Sequence, residues 1–224
     1  MTGHMPALIT WWRQDVETLS PGADPTAVYD TGTDLMRRWT EPQRKYHTTT
    51  HLVEMFWALE ELEEAGAIDS WEGALGRITA WFHDAVYAVP DAGDNEARSA
   101  AIASEALPRL GFGLEGTTTV AHLVRASERH DLPATRGLEA AFHDADLWIL
   151  SAPTDRFDAY CAQVREEYAG VPDAAYAQGR SAILIPFLER PRVYATDHAH
   201  TEWTERAREN LRRELDRLSP TGGK

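Results

Sequence analysis

With a single cysteine, Cys161, the 224-residue chain can form no intrachain disulfide, and a reducing, cytoplasmic setting is expected. No apolar run approaches the roughly 20 residues that cross a bilayer, and no charged stretch at the N-terminus leads into an apolar one. Neither a membrane span nor a secretory signal is therefore expected. Positive charge is scarce as well: 22 Lys and Arg face 36 Asp and Glu, a net charge of -14. Such a surface repels phosphate backbones at long range and argues against general nucleic-acid binding. Small phosphorylated ligands stay admissible, because a metal and a few arginines can invert the field inside a cleft. The chain has no internal repeat and no low-complexity linker. Gly3-His4-Met5 carries no functional weight, and the end of the chain, 218–224, reads as a frayed tail.

What is present is a helical pattern. At 43% hydrophobic residues the chain can build one sizeable core, so residues 1–224 are read as a single domain. Apolar residues recur with a helical period and almost nowhere alternate, which makes the expected fold class all-α. Helices are expected over 7–19, 25–40, 49–65, 71–86, 95–110, 117–128, 137–150, 154–169, 173–189 and 202–218. Turn residues separate them: Pro21-Gly22, a cap at Asp69-Ser70, Pro90 to Gly93, Gly111 and Gly113, and Pro153-Thr154. The mixed charges from Glu205 to Glu214 read as a solvated face with i,i+4 pairs. The eight tryptophans, mostly among aliphatic neighbours, read as core.

Chemistry concentrates in three places. His47 and His51 lie four apart at a helix start, a spacing that puts both on one face if both are helical. His83-Asp84 closes an apolar helical segment. Asp144 and Asp146 sit inside another. Charged groups in apolar runs are expensive to bury unless paired or metal-bound, and imidazole with carboxylate suits a divalent transition metal. The alternative makes His83-Asp84 a hydrogen-bonding pair at a helix C-terminus and Asp144 a cap. Spacing alone leaves both readings open.

The order of matching blocks goes further. The sequence resembles the HD-domain superfamily, and within it the bacterial group described as predicted metal-dependent HD phosphohydrolases. The resemblance runs from about Trp39 to Leu218. It rests on Glu41-Pro42-Gln43-Arg44-Lys45-Tyr46-His47 leading to His51, then Phe82-His83-Asp84-Ala85-Val86-Tyr87 and Asp94-Asn95-Glu96-Ala97-Arg98-Ser99-Ala100. Asp144-Ala145-Asp146-Leu147, Arg165-Glu166-Glu167-Tyr168, Gly179-Arg180 and Ala207-Arg208-Glu209-Asn210-Leu211 follow. It implies an HD-type helical bundle in which His51, His83, Asp84 and a final aspartate hold one divalent metal, whether Mn, Co, Zn, Ni, Fe or Mg. Asp146 is preferred to Asp144 as that aspartate because it directly precedes the Leu147-Trp148-Ile149-Leu150 run, as the superfamily's aspartate usually does. The two point about 160° apart on a helix and cannot both reach one ion.

The implied reaction is hydrolysis of a phosphoester in a small phosphorylated metabolite, with a nucleotide among the candidates. Asp84 would also orient or deprotonate the attacking water, and Glu96 is a candidate acid or base, with a role at the helix start as its rival. Arg44, Arg98 and Arg180, with His47, are candidate substrate contacts, although an ordinary salt bridge competes for each arginine. Glu54 is a candidate acceptor orienting a histidine ring, and His130 a candidate for a second metal. Two competing functions remain: a di-iron oxygenase, for which His122 and His130 would have to converge on the site, and a helical binding module that keeps its metal for stability.

Overall fold

The structure is a computed structural model that describes residues 5–89, 93–129 and 136–219. The fold is all-α: ten helices and one 3-10 turn form among the described residues, without a strand. The first six are α1 (Met5–Leu19), α2 (Pro25–Trp39), α3 (Thr49–Glu64), α4 (Ser70–His83), α5 (Asn95–Arg109) and α6 (Leu114–Ala126). After them come α7 (Leu138–Asp146), the 3-10 turn Leu147–Ser151, α8 (Thr154–Glu167), α9 (Asp173–Glu189) and α10 (Asp197–Leu218). The expected frayed tail lies mostly outside the described residues, since α10 runs through Leu218 and the description stops at Ser219.

Local chemistry explains the boundaries. Asp24 caps α2 ahead of Pro25, and Asp69 with Glu72 forms a reciprocal capping box at α4. Three expected boundaries are corrected. The segment expected over 71–86 stops at His83, with Asp84 leaving helical geometry as its C-cap. The one expected over 137–150 tightens into a 3-10 turn after Asp146. The last helix starts at Asp197, because Thr196 caps it through Ala199 N–H.

Packing divides into two apolar clusters. One joins α1, α2, α4, α5 and α6 around Trp12, Trp39, Trp81 and Phe82. The other joins the 3-10 turn with α8, α9 and α10 around Leu150, Phe157, Tyr194 and Leu211. α3 serves both, giving Leu52 and Met55 to the first and Leu59 and Leu62 to the second. Gly32 lets α2 approach α1: a Cβ there would fall 2.6 Å from Trp12 Cδ1. Three tryptophans depart from the expected core role, for Trp11, Trp57 and Trp71 are exposed.

Candidate metal centre

Three elements bring their ends together between the two clusters. His51 occupies the first turn of α3, His83 ends α4 with Asp84 as its cap, and Asp146 ends α7. The indole of Trp39 packs beneath both imidazoles, with ring centroids 6.3 Å from His51 and 5.5 Å from His83. Its Nε1–H donates to the Trp81 carbonyl at 2.9 Å, which ties α2 to the last turn of α4.

The donor atoms face one another. Asp84 Oδ2 lies 3.1 Å from His83 Nε2, and Asp146 Oδ1 lies 3.3 Å from His51 Nε2 and 3.6 Å from His83 Nε2. One donor atom from each of His51, His83 and Asp84 falls within 4.8 Å of the others. Ligands about 2.0–2.2 Å from a common ion stand roughly 3–3.5 Å apart, so the spacing fits a metal. His83 Nε2 supplies the more telling observation. It is buried and makes no directional hydrogen bond, despite the two carboxylates within 3.6 Å. Two carboxylates held against buried imidazoles concentrate negative charge away from water, and a cation between these groups offsets it. The residues present therefore fit a divalent ion.

The far sides of the rings are held as metal ligands require. His83 Nδ1 donates to the Ala80 carbonyl at 2.8 Å, which turns Nε2 toward the carboxylates. His51 Nδ1 lies 2.9 Å from the Tyr46 hydroxyl. Glu54, expected as the acceptor for a histidine, is corrected: it is buried against Arg156, whose guanidinium lies over the Tyr46 ring. Glu54 therefore acts on the site only through Arg156 and Tyr46.

Asp144 and Asp146 have separate surroundings. Asp144 is fully buried and accepts from Ala195 N–H, Thr196 N–H and Thr196 Oγ1 at 2.6–2.7 Å, and its Oδ1 lies 3.0 Å from His143 Nδ1. It ties α7 to the start of α10, while Asp146 faces the histidines.

Electrostatics follow from burial and pairing. Burial pushes the His83 pKa down, but the Asp84 and Asp146 carboxylates outweigh it and raise it to about 9 in the absence of metal. Burial opposes ionisation of Asp84, yet His83, His47 and His51 hold it far below the usual carboxylate range. For His51 burial prevails over Asp146 and lowers the pKa. Glu96 is raised, first by burial and then by the Asp84 charge.

Above the cluster opens a cavity of about 950 Å³, lined at this end by His47, Asp84, Glu96 and Asp146. His47 is a correction to the expected geometry. Thr48 caps α3, so His47 precedes the helix and does not share its face with His51. It is held instead by Glu167, whose Oε1 accepts from the backbone N–H groups of Lys45, Tyr46 and His47 at 2.7–3.1 Å. Glu167 Oε2 lies 2.8 Å from His47 Nδ1 and accepts from the Tyr87 hydroxyl at 3.0 Å, and the Tyr87 ring stacks on His47. Asn95 pairs with both backbone groups of Ala88, and the Ser99 hydroxyl accepts from Val86 N–H. Those contacts pin the segment after Asp84 to α5 and leave Glu96 on the cavity.

The arginines part ways. Arg180 lines the cavity, lies over the Tyr160 ring and donates to its hydroxyl. Arg44 is buried in its own loop, paired with Glu41 at 3.2 Å and lying over Trp39 and Tyr87, and is not among the cavity residues. Arg98 is exposed near Asp94, 3.7 Å away, and also off the cavity. Both depart from the expected substrate contacts for one reason: each guanidinium has an acidic neighbour on its own segment. His122 is exposed near Glu139 and does not line the cavity. His130 lies outside the described residues.

Local sequence singled out His51, His83, Asp84 and the Asp144–Asp146 stretch, and only the family resemblance made His51, His83, Asp84 and Asp146 a ligand set. Tyr46 and Glu167 lie inside matched blocks but were given no role there, because their roles depend on partners that only folding brings close. No helix among the described residues is long and apolar enough to cross a membrane. No protein-family model, curated protein or solved structure matches the chain.

Proposed function

We propose that the chain is a metal-dependent phosphohydrolase of the HD type, hydrolysing a phosphoester in a small phosphorylated metabolite. The observation that carries this reading is the convergence of His51, His83, Asp84 and Asp146 beside a large cavity, with Asp84 and Asp146 both within 3.6 Å of the buried His83 Nε2. His51, His83, Asp84 and Asp146 would hold the ion. A divalent metal there supplies Lewis acidity, activating water at neutral pH and neutralising charge on the phosphoryl group.

The chain's own groups do the rest. Asp84 stays ionised at neutral pH and orients the attacking water through a carboxylate oxygen. Glu96, whose carboxyl is raised by burial, holds a proton more readily than an exposed glutamate and stands ready to pass it to the leaving oxygen. Arg180 offers a planar guanidinium to phosphoryl oxygens. His47, fixed by Glu167 and Tyr87, borders the same space.

The test is phosphate release from a panel of monoesters and diesters, with Mn, Co, Mg, Ni and Zn supplied one at a time to chelator-treated protein. Metal-stimulated release is expected, and it should vanish in His83→Gln and Asp84→Asn variants that keep the wild-type thermal transition. Release indifferent to metal or to these substitutions, or no release with any metal, contradicts the reading.

A further inference from the structure

One cation lining the cavity has no carboxylate partner among the described residues. Arg180, part-buried on α9, borders the space with Tyr160 of α8 and with Tyr176, one turn earlier on the same helix face. Its Nη2 donates to the Tyr160 hydroxyl. The acidic groups of this region are engaged elsewhere or belong to other elements. Glu214, buried on α10, pairs with Arg217 at 3.6 Å, and Glu96 and Glu128 reach the cavity from α5 and from the turn after α6.

The immediate neighbours do not supply a counter-charge either. Burial raises the Tyr160 hydroxyl and pushes Tyr176 and Cys161 to about 12, so all three are neutral at neutral pH. A guanidinium stays protonated there. Charge withdrawn from water without an opposite charge is unfavourable. Donors are also in excess: Arg180 Nε and the Tyr176 hydroxyl are buried without a hydrogen-bond partner. Spare donors around a lone cation suit an anion with several oxygens.

Position says which anion. The Arg180 guanidinium lies 5.0 Å from the Tyr160 ring centroid, Tyr160 lies 4.5 Å from Tyr46, and the Tyr46 hydroxyl reaches His51 at 2.9 Å. Two rings in series thus link Arg180 to the metal centre. A phosphoryl group on the metal has the ion to balance its charge, whereas Arg180 stands beside that centre in the same cavity, free to meet another group of the same molecule.

We propose that the substrate is doubly anionic, with one phosphate at the metal centre and a second phosphate or a carboxylate held by Arg180. This rests on the phosphohydrolase reading for the position of the first phosphate, but the anion site at Arg180 can be tested without turnover.

The experiment has two arms. In the first, KM is measured with the best-supporting metal for the monophosphates and bisphosphates of propanediol, pentanediol and octanediol, and for ω-carboxyalkyl phosphates of matching length. The leaving group is an alkoxide throughout. At the length that spans the two sites, a doubly anionic ester should have a KM about tenfold or more below that of its hydroxyl-capped counterpart, against the repulsion of a chain of net charge -14. An advantage for the bisphosphate alone assigns the second group as phosphate, and one for the carboxylate alone assigns it as carboxylate. Arg180→Gln should bring the compared KM values within about twofold, and Arg180→Lys, which keeps the charge, should retain more of the difference. Arg98→Gln, off the cavity, should preserve it. No advantage at any length, an advantage that survives Arg180→Gln, or loss of the folded thermal transition in that variant overturns the proposal.

The second arm applies if no ester is hydrolysed. Metal-free protein is titrated with inorganic phosphate by calorimetry; without an ion, the Asp84 and Asp146 carboxylates repel phosphate from the centre. Saturable binding that Arg180→Gln abolishes supports the anion site although the phosphohydrolase reading has failed. Absence of binding, or binding that Arg180→Gln leaves alone, overturns it.

Discussion

His83 holds a proton that a metal must displace. Its pKa is raised from 6.5 to about 9 by Asp84 and Asp146, against the opposing effect of burial. A raised histidine pKa stabilises the metal-free fold fully below 6.5, and that contribution is lost as pH rises through about 9. Metal affinity has the opposite dependence, because the lone pair on Nε2 must be free. Titration calorimetry with Mn should therefore show affinity rising about tenfold per pH unit between 7 and 9 and levelling above, with one proton released per ion at neutral pH. Tyr46 gives a second handle. Tyr46→Phe removes the hydroxyl that faces His51 Nδ1 and should weaken metal binding about ten- to a hundredfold with the fold intact. A flat pH dependence, or an unaffected Tyr46→Phe variant, would count against these roles.

The helices were largely legible from apolar spacing and caps, since Asp24, Asp69 and Thr48 act within three residues of themselves. What joins one segment to another was not. Glu167 sits at the end of α8, yet its side chain, 1% exposed, organises the 45–47 turn about 120 residues earlier in the chain. Glu54 likewise finds Arg156 across 102 positions, so its place three residues after His51 was misleading. Burial opposes ionisation of Glu167, but the His47 hydrogen bond and charge and the backbone N–H groups outweigh it and hold the pKa at about 2. A depressed carboxyl pKa stabilises above the unfolded value near 4.5, and that stability is lost as pH falls toward 2. Glu167→Gln should cost about 3 kcal/mol at pH 7 in urea unfolding and flatten the loss of stability between pH 4.5 and 2. Gly32→Ala, forced against Trp12, should cost about 1–3 kcal/mol by the same measurement without altering metal affinity.

The two apolar clusters meet along α3, and the candidate metal centre lies at that seam, where the ends of α3, α4 and α7 converge. An ion bound only by the folded arrangement stabilises all of it. At a free metal concentration a hundredfold above Kd the gain is about 2.7 kcal/mol. For a chain of this length the thermal midpoint should rise by about 5–10 °C, and excess chelator should reverse it. The large acidic excess, -14, bears on partners more than on the fold. It leaves the positive field to the cavity itself, where Arg180, Arg190 and a bound cation would provide it. Anomalous diffraction at the manganese edge, from crystals grown with that ion, puts the centre to its most direct trial. A single strong peak within about 2.3 Å of His51 Nε2, His83 Nε2 and carboxylate oxygens of Asp84 and Asp146 is the predicted result. Side chains turned away from one another with no peak among them, in crystals that hold manganese elsewhere, would contradict it.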